Sequence, residues 1–190
     1  MSGALENDNK NKEINQKGRQ AKSEARPRPV TASYLRNAAM HYLSGRAAST
    51  SMLRQTLTRR AKRRLDLRTL DEPTAALIDK AIADLVALGM IDDTRFAENR
   101  AASLQRKGLS IKRIGLGLKL KGIDTRTAAR AMAPDLDDLA QARLFAERKK
   151  LGPWRRGGPD ESKRQKELQA LMRAGFSYAI AKKALAVDGG

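Results

Sequence analysis

Two stretches of this 190-residue chain hold residue types that could do chemistry. In MIDDTRF, Asp92 and Asp93 are paired carboxylates, the material of acid–base catalysis or of a Mg²⁺ site. Adjacent residues at one helix start do not converge on a point, however. Carboxylates there stabilise the dipole and free N–H groups of the first turn by about 0.5–2 kcal/mol, so the pair reads as a cap. In RIGLGLKLKG, Gly115 and Gly117 resemble a phosphate-cradling loop. No strand precedes them, and the apolar spacing puts both inside a helix, where each costs about 1 kcal/mol relative to Ala. Close helix packing is the expected reason for both. The chain has no cysteine and a single histidine, His41, which excludes disulfides, thiolate metal sites and a His-built metal site. We expect no catalytic residue, no metal and no cofactor.

The remaining chemistry is charge. Thirty-nine Lys and Arg against 21 Asp and Glu give +18 and a pI near 10.7, a balance that favours nucleic acid or an acidic partner surface. The cations come in clusters. Arg59, Arg60, Lys62, Arg63 and Arg64 form the first. Arg106, Lys107, Lys112, Arg113, Lys119 and Lys121 form the second. Arg148, Lys149, Lys150, Arg155 and Arg156 flank a loop bearing Trp154. Arg46, Arg95, Arg100 and Arg173, with Tyr178, complete the candidate partner- or DNA-binding residues. Any one cation is ordinarily a solvated face, but three clusters spread along the chain make a discontinuous electropositive strip. Trp154 is open to two readings, stacking on a base or pinning its Gly/Pro loop to the core.

Those residues must be positioned by helices. Apolar content is 41%, supplied mainly by Ala and Leu, with aromatics at 4%; this suits thin helical layers. Residues 1–30 are polar and charged and read as a disordered tail. From Thr31 onward the spacing predicts nine helices and no strand. They run over 32–43, from the Ser49 cap through Leu53 and Leu57 into the basic cluster RRAKRR (59–64), and from Asp71-Glu72-Pro73 to Gly89. The fourth starts at Asp92 or Asp93 and ends at Gly108. Ser110 caps the fifth and Asp124 the sixth; the seventh covers 135–150, the eighth 161–174, and Ser177 caps the ninth. Leu77, Ile78, Ala81, Ile82, Leu85 and Val86 form one apolar stripe of the third helix, and Ile111, Ile114 and Leu118 one of the fifth. No apolar run reaches the roughly 20 residues of a membrane span, and no hydrophobic leader core is seen, so the expected location is the cytoplasm.

The helices fall into three groups of three. KLKGIDTRTAARAM (119–132) and LMRAGFSYAIAKKAL (171–185) carry the same phrase, a basic residue, Gly, an apolar residue, a capping residue and a helix. Gly122 and Gly175 are expected to end one helix with φ > 0, and Ile123 and Phe176 to fold back on it. In the first group Ala61 stands about where the Gly would be, and the basic segment 58–68 reads as an insertion. The expected organisation is all-α: repeat one over 31–91, repeat two over 92–134 and repeat three over 135–187 with a Gly/Pro/Arg loop at 151–160. A unit this small buries little core alone, so the repeats should stack into an elongated array.

Over about residues 32–186 the chain resembles the RecX family of recombinase regulators. The resemblance rests on MHYLSGRAASTSML with its Tyr42-Leu43-x-x-Arg46-x-x-Ser49 frame, on residues 85–124 with Gly89-x-x-Asp92-Asp93-x-Arg95-Phe96-Ala97, Lys107-Gly108 and Lys121-Gly122-Ile123-Asp124, and on LMRAGFSYAIAKKAL. Met90-Ile91, Ala174 and the segment 58–68 depart from the usual pattern. The resemblance implies tandem three-helix repeats in a curved basic molecule. It implies binding to the RecA recombinase filament on DNA and restraint of its assembly and ATP-driven activities, in recombinational repair and the SOS response, without catalysis or a cofactor. The expected partners are therefore the RecA filament and DNA, single- or double-stranded and without sequence preference; no membrane is expected, and the chain is expected to be a monomer. The rival reading is a general nucleic-acid-binding helical protein acting through DNA alone.

Overall fold

The computed structural model describes residues 28–156 and 160–186; most of the expected tail lies outside them. Among the described residues there are nine α-helices and no strand. They are α1 (Ala32–Leu43), α2 (Thr50–Leu65), α3 (Glu72–Ala87), α4 (Asp93–Gln105), α5 (Ile111–Lys119), α6 (Thr125–Arg130), α7 (Asp138–Lys149), α8 (Glu161–Arg173) and α9 (Tyr178–Leu185), with a 3₁₀ turn at Gly152–Trp154.

Local chemistry explains where they begin. Every one of the nine is preceded by a Ser, Thr or Asp whose side chain accepts an N–H of the first turn: Thr31, Ser49, Asp71, Asp92, Ser110, Asp124, Asp137, Asp160 and Ser177. Such short polar side chains satisfy donors that no carbonyl can reach. The seventh helix starts later than its expected Asp135, because Asp137 supplies the acceptor, to Ala140 at 2.7 Å.

Three helices make one unit. The strong packing contacts join α1, α2 and α3, then α4, α5 and α6, then α7, α8 and α9. Each unit has its own small core. Leu35, Leu53, Leu57 and Ile78 centre the first, Ala101, Ile114 and Leu118 the second, and Ala146, Leu171 and Ala181 the third. Phe145 meets Phe176 edge-on there, with centroids 6.4 Å apart, a geometry favoured by the ring quadrupoles.

Several expectations change. Val86 is 44% exposed and Ile111 36% exposed, so the stripes of α3 and α5 are narrower than their periodicity implied. Gly117 does pack closely, since a Cβ there would lie 3.1 Å from Leu104, but Gly115 faces open space. The basic segment 58–68, read as an insertion, lies largely within α2, which continues to Leu65 with Ala61 fully buried. The turn falls at Asp66, whose φ of 54° is left-handed, a conformation Asp tolerates better than most residues. Val30 and Pro29, assigned to the tail, belong to the first unit: Val30 packs on its core, and the Pro29 carbonyl accepts from Arg64 Nε at 3.0 Å.

Candidate functional site

The faces available to a partner depend on how the units join, and the join is built twice. Between units one and two, the buried Ser49 caps α2 through the Met52 N–H at 3.2 Å while its hydroxyl donates to the carbonyl of Lys121. The next residue, Gly122, has φ 76°, and a Cβ on it would overlap Ser51. Between units two and three, the buried Ser110 caps α5 through the Arg113 N–H at 3.1 Å, and its own N–H reaches the carbonyl of Ala174 at 3.4 Å. Gly175 follows with φ 102°, and its Cβ would overlap Ser110 Oγ. The repeated Gly phrase therefore ends a helix and also receives the N-terminus of the preceding unit's second helix. Only a residue without Cβ satisfies both demands.

A carboxylate completes each seam. Asp93 accepts from Thr50 N–H and hydroxyl, and Asp138 accepts from Ile111 N–H at 2.8 Å. Both donors are first residues of a helix, where the N–H has no helical partner and anions are favoured.

These seams set where the cations lie. Lys112, Arg113 and Lys119 are exposed on α5. Arg113 also brings its Cβ against Gly175, so it stands beside the turn that carries the exposed Arg173. Lys121 is half-buried, its carbonyl occupied by Ser49, while Lys107 is exposed next to the buried Gly108. Arg59 and Arg63 are exposed on the far end of α2, with Arg60 half-buried. Cations in that last turn also complement the helix dipole. Arg148, Lys149 and Lys150 are exposed at the end of α7, as are Arg156 and Tyr178. Arg46 and Arg95, from different units, line one open pocket.

Three candidates are placed differently from expectation. Arg155 is turned inward: its side chain is 11% exposed and forks onto Glu167, itself 8% exposed, with Nε–Oε1 at 2.9 Å and Nη2–Oε2 at 2.6 Å. Glu167 also accepts the N–H of Gly152 at 3.2 Å, so the pair fastens the 151–156 loop to α8. The hydrogen bonds it donates to Glu167 raise the Arg155 pKa further above its ordinary value. Arg64 stacks over the Tyr34 ring at 4.1 Å while holding Pro29, tying α2 to the segment before α1. Arg100 is half-buried with its Nε closed off from solvent, not outward. Trp154 packs against the third core together with Leu151, which favours the pinning reading of that loop.

Reading the sequence missed Asp138, Glu167 and the Lys121 carbonyl as binding partners. Asp137-Asp138 repeats the Asp92-Asp93 pair at the same place in the unit, and that echo was the available signal. Among the described residues no group of His, Asp and Glu could hold a metal ion, and no helix is long and apolar enough to cross a membrane.

Comparison with known proteins agrees with this architecture. Residues 92–132 match the family described as "RecX, second three-helix domain". The regulatory protein RecX of Myxococcus xanthus is 38% identical over 165 residues, covering 84% of this chain and 88% of that protein. The protein of the same name from Agrobacterium fabrum is 33% identical over 155 residues, covering 82% and 83%. The crystal structure of RecX from Lactobacillus salivarius superposes with a TM-score of 0.58 at 27% identity, over 81% of this chain and 94% of that one.

Proposed function

The chain belongs to the RecX family of regulatory proteins, and we propose that it acts by binding the RecA recombinase filament and restraining its ATP hydrolysis, growth and strand exchange. The setting is recombinational DNA repair and the SOS response in the cytoplasm, and the protein contributes no catalysis of its own. The observation that carries the reading is the twice-built seam. It joins the basic units in register, with Lys112, Arg113 and Lys119 exposed on α5 and Arg113 against the turn of the next unit that follows the exposed Arg173. Linked weak sites gain affinity through effective concentration, without any one strong contact. A target that itself repeats, such as a helical filament on a phosphate backbone, suits that arrangement.

Recombinase ATPase and filament disassembly, measured against protein concentration, test it. Suppression is expected well below the concentration that coats the DNA, and the charge reversals Lys112→Glu, Arg113→Glu and Lys119→Glu together should abolish it. An undiminished effect in that triple variant places the binding face elsewhere. Suppression seen only when the DNA is saturated favours action through DNA alone, with log K falling by about 0.9 per phosphate contact per decade of salt.

A further inference from the structure

Where units one and two meet, the end of α1 and the turn before α4 border an open pocket of about 350 Å³. Arg46 from unit one and Arg95 from unit two share it, with Asn99 one helical turn beyond Arg95. Leu43, Met90 and Phe96 are among its walls. Neither guanidinium has a carboxylate within ion-pair range among the described residues. Arg46 lies over the Tyr42 ring at 5.0 Å, which positions the cation without neutralising it. Asp92 also borders the pocket, but it is engaged as the α4 cap, accepting the Arg95 N–H at 3.0 Å. The balance is two unpaired cations against one occupied carboxylate.

The walls decide between anions. A phosphodiester would satisfy the arginines and leave Leu43 and the 42%-exposed Met90 uncovered. Base stacking finds no free ring, because Phe96 packs on the second core. A carboxylate matches the guanidinium fork, and an apolar neighbour on the same strand of peptide would cover the walls.

We infer that this pocket is an acidic-peptide site. A Glu or Asp side chain of a partner protein lies between Arg46 and Arg95, hydrogen-bonded by Asn99, and the apolar residue beside it rests on Met90 and Leu43. This deepens the proposed partner binding by naming one contact, and rests on it only for which protein supplies the peptide.

The test titrates the ¹⁵N-labelled full chain with the capped peptide acetyl-Glu-Leu-Asp-Phe-Glu-amide and follows the amides of Gly89, Asp92, Arg95 and Asn99. The peptide should shift them saturably, and its amide counterpart (Gln and Asn for the acids) should not. Arg46→Gln and Arg95→Gln should each weaken binding about tenfold, with Arg46→Lys and Arg95→Lys in between and Lys166→Gln without effect; an unchanged spectrum elsewhere shows that each variant is folded. Equal binding of the neutral peptide, or indifference to both Gln variants, overturns the inference. So does an oligothymidylate that shifts the same amides and resists displacement by the peptide, which would assign the pocket to phosphate. No recombinase is present, so this result stands apart from that of the ATPase experiment.

Discussion

Thr50 gives Asp93 two hydrogen bonds across 43 positions of sequence, its backbone N–H at 2.8 Å and its hydroxyl at 2.6 Å. The adjacent Asp92 turns the other way and caps its own helix at Arg95. Two neighbouring carboxylates thus divide the work, one starting α4 and one fastening α4 to the unit before it. The same division recurs in unit three, where Asp137 caps α7 and Asp138 takes the N–H of Ile111.

Substitution should separate the two roles. Asp93→Ala removes a charge-assisted pair of bonds and should cost about 1–3 kcal/mol, released by undocking α2 from α4. Native-state hydrogen exchange should then quicken at Thr50 with α4 unaffected. Asp92→Ala should do the reverse and fray the first turn of α4. If Asp93→Ala quickens exchange only within α4, the seam does not depend on that carboxylate.

Glycine at the seam should be distinguishable from glycine in a plain turn. Gly89 and Gly122 have similar φ, 69° and 76°, but a Cβ on Gly89 meets nothing within 4 Å while one on Gly122 would overlap Ser51. Gly89→Ala should therefore cost only the left-handed penalty of about 1–2 kcal/mol, and Gly122→Ala measurably more. Ser51→Gly should recover the excess and nothing else, giving a coupling of about 1 kcal/mol or more in a double-mutant cycle. Additive costs in denaturant unfolding would show that Ser51 is not what Gly122 accommodates.

The contrast between caps and seams explains what could be read from the residues in advance. Ser49, Ser110, Asp124 and Ser177 announce helix starts because a cap acts on N–H groups two or three positions away, within the window in which periodicity is visible. The Ser49–Lys121 bond spans 72 positions, and no local pattern encodes it. The repeated phrase around Gly122 and Gly175 was legible as a turn, while its second role, receiving Ser51 and Ser110, needed the packed units. Asp66 was unreadable for a different reason: the helix was legible into its basic cluster, but no Gly or Pro follows it to mark the stop, and the turn falls on an Asp in the left-handed conformation. For the cations, residue type alone cannot tell Arg155, paired with Glu167 inside the third unit, from its exposed neighbour Arg156.

That last pair separates structure from binding. Arg155→Gln would leave the buried Glu167 carboxylate without its cation, which is strongly destabilising in low-dielectric surroundings. Thermal unfolding should fall clearly, and a joint Arg155→Leu, Glu167→Leu replacement should regain much of the loss. Arg156→Gln should leave the unfolding temperature unchanged and, where Arg156 meets DNA, lower the salt slope of binding by about 0.9. An unfolding temperature that responds equally to both single substitutions would refute the assignment.

Acid should loosen the helix starts in a predictable sense. Asp160 accepts the Ser162 hydroxyl at 2.6 Å and N–H at 3.0 Å, and pairs with Lys163 at 2.9 Å; these bonds, those of Ser162 first, hold its carboxyl well below the usual carboxylate range. Asp124 is lowered in the same direction by Thr127, whose N–H it accepts at 2.9 Å. A carboxyl that binds its proton less tightly folded than unfolded stabilises the fold fully above its unfolded value of about 3.9. The contribution is lost as pH falls from there toward the depressed folded value. Asn keeps a capping oxygen but does not titrate. The unfolding temperature of an Asp160→Asn, Asp124→Asn variant should therefore drop less steeply below about pH 4 than that of the parent, while the two differ little in slope near neutrality, where both carboxylates are ionised in either state. Parallel curves across the acid range would show that neither carboxylate is coupled to folding.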